Sequence, residues 1–267
     1  MKTMIQHELK ANWKPFFFWS LGLTVLVVAG FAKFLGFDAS SGADVNALMA
    51  QFPKVFLAMF GMAGLDVQSL GGYYAVLQNF VLICTCIFAL QLGANAVSRE
   101  SIDKTYEFIF TKPRTRNRIL MAKLIAAAIY LTAFSLLNFA FSHIALPIYQ
   151  LENTISTPIF LFSIANYVVG LFFLSLSTLL ATLFVRAETG MKAGTYAFMA
   201  FYGLSVVYDM LDNPERIQIL TPMRYFTAIE LLNNRFSLTF LIIALAVSLL
   251  ALQFAFSEFR KRDLTAV

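Results

Sequence analysis

Residues 119–149 read ILMAKLIAAAIYLTAFSLLNFAFSHIALPIY. Across this run only Lys123 and His143 can carry a charge. At 1.5 Å per residue, a helix of about 20 residues crosses the roughly 30 Å hydrocarbon core of a bilayer, so the run is long enough to span and to tilt or protrude. Comparable runs recur at about Pro15–Phe37, Tyr73–Val97, Pro158–Val185, Gly190–Asp209 and Leu238–Ser257, and six spans are expected. Their continuity argues for helices, because strands of a membrane barrel alternate apolar and polar residues over about ten positions. Composition agrees: 13% of the 267 residues are charged and 59% are hydrophobic, against roughly 25% charged in a soluble domain. The chain is read as an all-α membrane protein, a single transmembrane domain over residues 1–267. The run Pro15–Phe37 is long enough to be a retained first span rather than a cleaved leader.

Immediately before the opening run stands SRESIDKTYEFIFTKPRTRNR, residues 98–118, in which nine of twenty-one residues are charged and six are Lys or Arg. With the N-terminus inside, the cytoplasmic pieces of a six-span chain hold fifteen of the 20 Lys and Arg, and the outer pieces only Lys33, Lys54, Arg216, Arg224 and Arg235. Such a bias sets orientation. Both termini are expected in the cytoplasm of a multi-pass cell-membrane protein, and residues 98–118 are its largest cytoplasmic segment. The segment is too short for a soluble domain.

The spans lack what several functions require. Ion pumps and carriers keep acidic or basic groups at mid-membrane, yet the middles of these spans hold no Asp, Glu, Lys or Arg. His143 is the ionisable group deep in a span, four residues before Pro147. It reads either as a neutral imidazole bonded across helices or to carbonyls loosened by the proline, or as a proton site. No phosphate-binding glycine loop, zinc-protease or serine-hydrolase motif is present. Cys84 and Cys86 are two apart in a span, on different helix faces, and read as small apolar residues with no metal role. Milder polar residues do recur at helical spacing. Gln78, Thr85, Asn138 and Asn166 are candidate lining of a substrate path, against the reading that they pack helices together.

Taken as a helix, Ser98–Phe110 is amphipathic, with Ile102, Tyr106, Ile109 and Phe110 on one face and Glu100, Asp103, Lys104 and Glu107 elsewhere. Pro113 ends it, and Arg114, Arg116 and Arg118 follow. The residues alone leave two readings open: a helix that docks into a groove on another protein, or an interfacial helix that marks orientation.

The stretch resembles the cytoplasmic loop of type-2 ABC exporter permeases, in Glu100, Thr105-Tyr106-Glu107, Phe108-Ile109, Pro113-Arg114-Thr115-Arg116, Ile119 and Lys123, with Lys104 where a glycine usually sits. MIQHELKANWKPFFFW at the N-terminus resembles the amphipathic elbow helix of that family, here residues 1–14. Thr221-Pro222-Met223-Arg224-Tyr225-Phe226, within 210–237, resembles its outer re-entrant segment. The resemblance implies a transmembrane permease subunit that is not itself an enzyme and binds no cofactor, with ATP and Mg held by a separate ATP-binding subunit present in two copies. It also implies a second permease copy, identical or related, in contact with membrane lipid and with no nucleic-acid partner. By that analogy residues 98–118 form the coupling loop, with Glu100, Asp103, Thr105, Tyr106, Glu107, Phe108, Ile109, Phe110, Pro113 and Arg116 at the contact with the ATPase subunit. The apolar outer segment Asp38–Gly72 suggests an amphipathic substrate, a peptide, lipid or hydrophobic drug. The rival readings are a membrane sensor or assembly protein that recruits a cytosolic partner, a secondary carrier using His143, and an intramembrane enzyme.

Overall fold

A computed structural model describes residues 1–40, 45–49, 51–102, 115–151, 153–184, 186–211 and 214–261. All regular elements among these are helical: α1 (Lys2–Ser40), α2 (Val45–Met49), α3 (Lys54–Met59), α4 (Leu70–Ile102), α5 (Arg116–Ile148), α6 (Ser156–Leu183), α7 (Ala187–Met210), α8 (Glu215–Gln218), α9 (Ala228–Leu232) and α10 (Leu238–Lys261), with short 3-10 turns at Asn153–Ile155 and Pro222–Arg224. Five of them, α1, α4, α5, α6 and α10, are long and apolar enough to cross a membrane. The sixth expected span forms α7, a helix of 24 residues. It does not reach the same apolar standard, and it carries Glu188, Lys192 and Asp209 near its ends.

α4 and α6 form the centre of the bundle, with 67% of their most apolar stretches buried, while α1 and α10 bury 17% and 22% and lie at the periphery. Exposed Phe17, Phe18, Leu21 and Val25 on α1 and Leu238, Ile242, Leu245 and Leu249 on α10 suit a hydrocarbon solvent, in which apolar side chains lose nothing by facing outward. Small residues let the central helices close up. A Cβ on Gly93 of α4 would lie 2.4 Å from the Leu174 carbonyl oxygen of α6, and one on Gly190 of α7 would lie 2.9 Å from Cα of Ala181. At the Gly93 crossing, Ser177 Oγ donates to the Leu90 carbonyl at 2.7 Å.

The N-terminal stretch departs from the expected boundary. Residues 1–14 do not form a separate elbow: one helix runs from Lys2 through Pro15 to Ser40. Leu9 packs against the bundle core, while Met1 and Trp13 are exposed. On the opposite side of the bundle, residues 214–237 fold inward as two short helices and a 3-10 turn. Thr221, Pro222, Met223, Tyr225 and Phe226 are buried, and Thr227 and Glu230 close a reciprocal capping box at the start of α9. The apolar segment before α4 is pinned as well. Tyr202 OH of α7 donates to the Met59 carbonyl at 2.7 Å, and Asn46 Nδ2 donates to Asp66 Oδ1 at 2.6 Å. The Asn46 bond, aided by the backbone amides of Gln68 and Ser69, holds the Asp66 carboxyl below its ordinary value. Its tie is therefore present at neutral pH and lost as acid protonates it.

The Gly93 contact gives a direct test. Gly93→Ala should cost about 1–3 kcal/mol through overpacking and lower the thermal unfolding midpoint in detergent. Gly22→Ala, where nothing lies within 4 Å of the added methyl, should be neutral or stabilising by up to about 1 kcal/mol.

Candidate functional site

Three of the four candidate path residues meet. Gln78 of α4, Asn138 of α5 and Asn166 of α6 are 1%, 2% and 5% exposed. Gln78 Nε2 donates to Tyr74 OH at 2.8 Å and to Asn138 Oδ1 at 3.3 Å. Its Oε1 accepts from Asn138 Nδ2 at 3.2 Å and from Asn166 Nδ2 at 2.9 Å. A buried amide in apolar surroundings is costly unless both its ends are bonded, and here one glutamine serves two asparagines on two other helices. The fourth residue, Thr85, does not join them: its hydroxyl donates to the Val81 carbonyl of its own helix at 2.8 Å, and its methyl packs toward Gly170.

Gln78 and Asn166 also line a cavity of about 60 Å³ that reaches Asn79, Asp209, Arg224 and Thr227. Arg224 brings a charge from the inward-folded segment to the end of α7. Its Nε donates to Asp209 Oδ1 and Oδ2 at 2.9 and 3.0 Å and its Nη2 to Oδ2 at 2.5 Å, while Nη1 donates to Asn79 Oδ1 of α4 at 3.0 Å. The two charged side chains are 14% and 11% exposed. Gln218 Nε2 donates to the Arg224 carbonyl at 3.0 Å, which fixes the turn that delivers the guanidinium. Asn79 Nδ2 is buried in the wall of this cavity with no hydrogen-bond partner among the described residues, and the space is enough to admit water to it. This triad escaped the sequence reading, which gave Asp209 as the end of a span and Arg224 among the outer basic residues. The available signal was a lone arginine inside the apolar run Pro222–Phe226.

A larger cavity of about 790 Å³ lies between α1, α4 and the segment that precedes α4, walled by Leu26, Phe34, Phe60, Met62, Leu77 and Phe80. His143 lies elsewhere, on an exposed face of α5, with its ring stacked on Phe139 at 5.8 Å. It does not bond into the buried amide cluster. Cys84 and Cys86 are free thiols, and no group of three or more metal-ligating side chains occurs among the described residues.

At the charge-dense end, Ser98–Ile102 continues α4 without a break, and Arg116–Arg118 is the first turn of α5, entered from Thr115 in extended geometry. Glu100 lies in the last turn of α4. Asp103, Thr105, Tyr106, Glu107, Phe108, Ile109, Phe110 and Pro113 lie outside the described residues. Arg116 Nη1 donates to the Arg260 carbonyl at 3.5 Å, near the end of α10. Arg99, one turn from the end of α4, donates from Nη1 to Asn12 Oδ1 and from Nη2 to the Ala11 carbonyl, each at 3.2 Å. Tyr130 OH of α5 donates to the Leu9 carbonyl, and the Tyr130 ring packs on Phe16 at 4.7 Å.

Long apolar helices knitted by buried amides, with a charged segment folded in at one end, define a multi-pass helical membrane protein. Residues 3–264 match the family described as ABC-2 family transporter protein, and the chain belongs to that family. The family expected from residues 98–118, the N-terminal stretch and Thr221–Phe226 is thereby confirmed, and the chain is a transmembrane transporter subunit. A comparison with curated proteins gives no match.

Breaking the Asp209–Arg224 pair tests its weight. Arg224→Ala should cost about 3–5 kcal/mol by leaving Asp209 buried without its counter-charge. Arg224→Ala combined with Asp209→Ala should be less destabilising than Arg224→Ala alone, read as unfolding midpoints in a double-mutant cycle.

Proposed function

We propose that this chain is the permease subunit of an ATP-driven exporter, one half of a membrane dimer served by separate ATP-binding subunits. In this reading α7 is the sixth crossing, both termini are cytoplasmic, and residues 98–118 receive the ATPase. The observation that carries it is the continuity of α4 and α5. Each runs unbroken from the layer of Gln78 and Asn138 to one end of residues 103–115. A push on that short connection therefore acts on two rigid rods that meet at the buried amides, which is the requirement for passing an ATPase motion into the spans. The anchors are Tyr106, Phe108, Ile109 and Phe110, since buried aromatic and bulky side chains dominate such contacts, with Glu100, Asp103, Thr105, Glu107, Pro113 and Arg116 around them.

The substrate class proposed is amphipathic. The apolar cavity bounded by Phe34, Phe60 and Phe80 supports it, and so does the smaller polar-walled cavity that Gln78 and Asn166 line together with Arg224. ATP and Mg belong to the partner subunit in this scheme.

Affinity purification of the gently solubilised chain from its native cell should bring down an ATP-binding subunit in equal amount. Tyr106→Ala with Phe108→Ala should weaken that association by about 30-fold or more, the loss expected from at least one hot-spot anchor, while the variant still inserts. Recovery of the chain alone, or undiminished transport by the double variant, would refute the assignment.

A further inference from the structure

We infer that Arg99 is a positioning residue: it grips α1 at the place where Pro15 has opened the helix, so that the N-terminal section of α1 follows the cytoplasmic end of α4. In an α-helix the N–H of residue i donates to the carbonyl of residue i−4. Pro15 has no N–H, so within α1 the carbonyl of Ala11 has no helical donor. That is the carbonyl that Arg99 Nη2 reaches, at 3.2 Å. The other arm of the same guanidinium, Nη1, holds Asn12 Oδ1 at 3.2 Å. Asn12 is itself braced, with Nδ2 donating back to the Glu8 carbonyl at 3.1 Å. One planar fork thus takes one backbone and one side-chain acceptor on consecutive residues, a geometry suited to arginine.

Pro15 has two effects at this point. It creates the acceptor, and by deleting a backbone bond and crowding the preceding turn it makes α1 easier to bend there. The section before it is not left loose. Tyr130 of α5 takes the Leu9 carbonyl, and Phe16, next to the proline, packs on Tyr130 and Phe88. Arg99 lies on a helix that continues unbroken from the Gln78 layer to Ile102, so it moves with α4. A displacement of that end pulls on Ala11 and Asn12, and α1 bends at Pro15. The grip itself rests on this geometry alone. Its role in transmission rests on the proposed ATPase coupling.

The test uses the full chain with Cys84 and Cys86 replaced by alanine and spin labels on cysteines introduced at exposed Thr3 and Leu136. The readout is the width of the distance distribution between the labels. Arg99→Ala should widen it. Pro15→Ala should leave it narrow, and Pro15→Ala with Arg99→Ala should make it narrow again, because an alanine N–H at position 15 takes over the Ala11 carbonyl. A merely structural arginine would not be relieved by changing the proline. Arg99→Lys, which keeps the charge but not the fork, should widen the distribution less and serves if Arg99→Ala fails to insert. A double variant as wide as Arg99→Ala, or an Arg99→Ala as narrow as the parent, would overturn the grip. In the complex with its ATP-binding subunit, a non-hydrolysable ATP analogue with Mg should shift the distance in the parent and not in Arg99→Ala. A shift that survives Arg99→Ala overturns the transmission role. Absence of any ATP-binding subunit refutes the proposed function instead and leaves the four-variant comparison on the chain alone to decide the grip.

Discussion

Inside a bilayer no water is at hand to satisfy a polar group, so each must find its partner within the protein. Much of this bundle follows from that constraint. Hydroxyls on the central helices fold back onto their own backbones, as Thr85 does onto Val81, Ser163 onto Ile159 and Thr178 onto Leu174. A buried amide carries both a donor and an acceptor end, which one bond to its own backbone does not satisfy, so those at the centre reach across helices. Gln78, Asn138 and Asn166 do so together, and the three helices they join are thereby fixed in rotation as well as in distance. Because oily side chains pack almost equally well in many rotations, it is the directional amide bonds that single out one.

The same constraint explains the two ends of the bundle. At one, the pair Asp209–Arg224 joins the inward-folded segment to α7, with Asn79 of α4 taking the spare arm of the guanidinium. At the other, Arg99 answers a carbonyl that a proline has stripped of its donor. In both cases an arginine fork spans two acceptors on different residues, and in both α4 supplies one of the partners. α4 is therefore the element that connects the two ends of the bundle.

The architecture was largely legible in the sequence, because a helix facing lipid needs a long uncharged run and such runs are conspicuous. The expected span Gly190–Asp209 forms α7, which misses the apolar standard of the other five because Glu188, Lys192 and Asp209 bound its apolar stretch. The polar residues of the site were legible as candidates but not as partners. Gln78 and Asn166 are 88 positions apart, and only the relative rotation of α4 and α6 brings them within bonding distance. Thr85 carried the same signal and lies outside the cluster, since a hydroxyl can be satisfied locally. The expected break between an elbow and the first span failed for a related reason. Pro15 marks a helix boundary by its own chemistry, but a side chain 88 positions from Ala11 compensates for the lost bond, and no local pattern announces that.

α4 and α5 are each 33 residues long, which at 1.5 Å per residue is about 50 Å of helix. The hydrocarbon core accounts for about 30 Å of that. Shared equally between the two ends of an untilted helix, the excess would raise the last turn of α4 and the first turn of α5 roughly 10 Å clear of the acyl chains, comparable with the Debye length of about 8 Å at physiological ionic strength. Arg116 and Arg118 would then stand where dissolved ions compete with lipid phosphates for them. Their attraction for an oppositely charged protein surface is set by the salt of the aqueous phase, while the amides deep in the bundle are insulated from it.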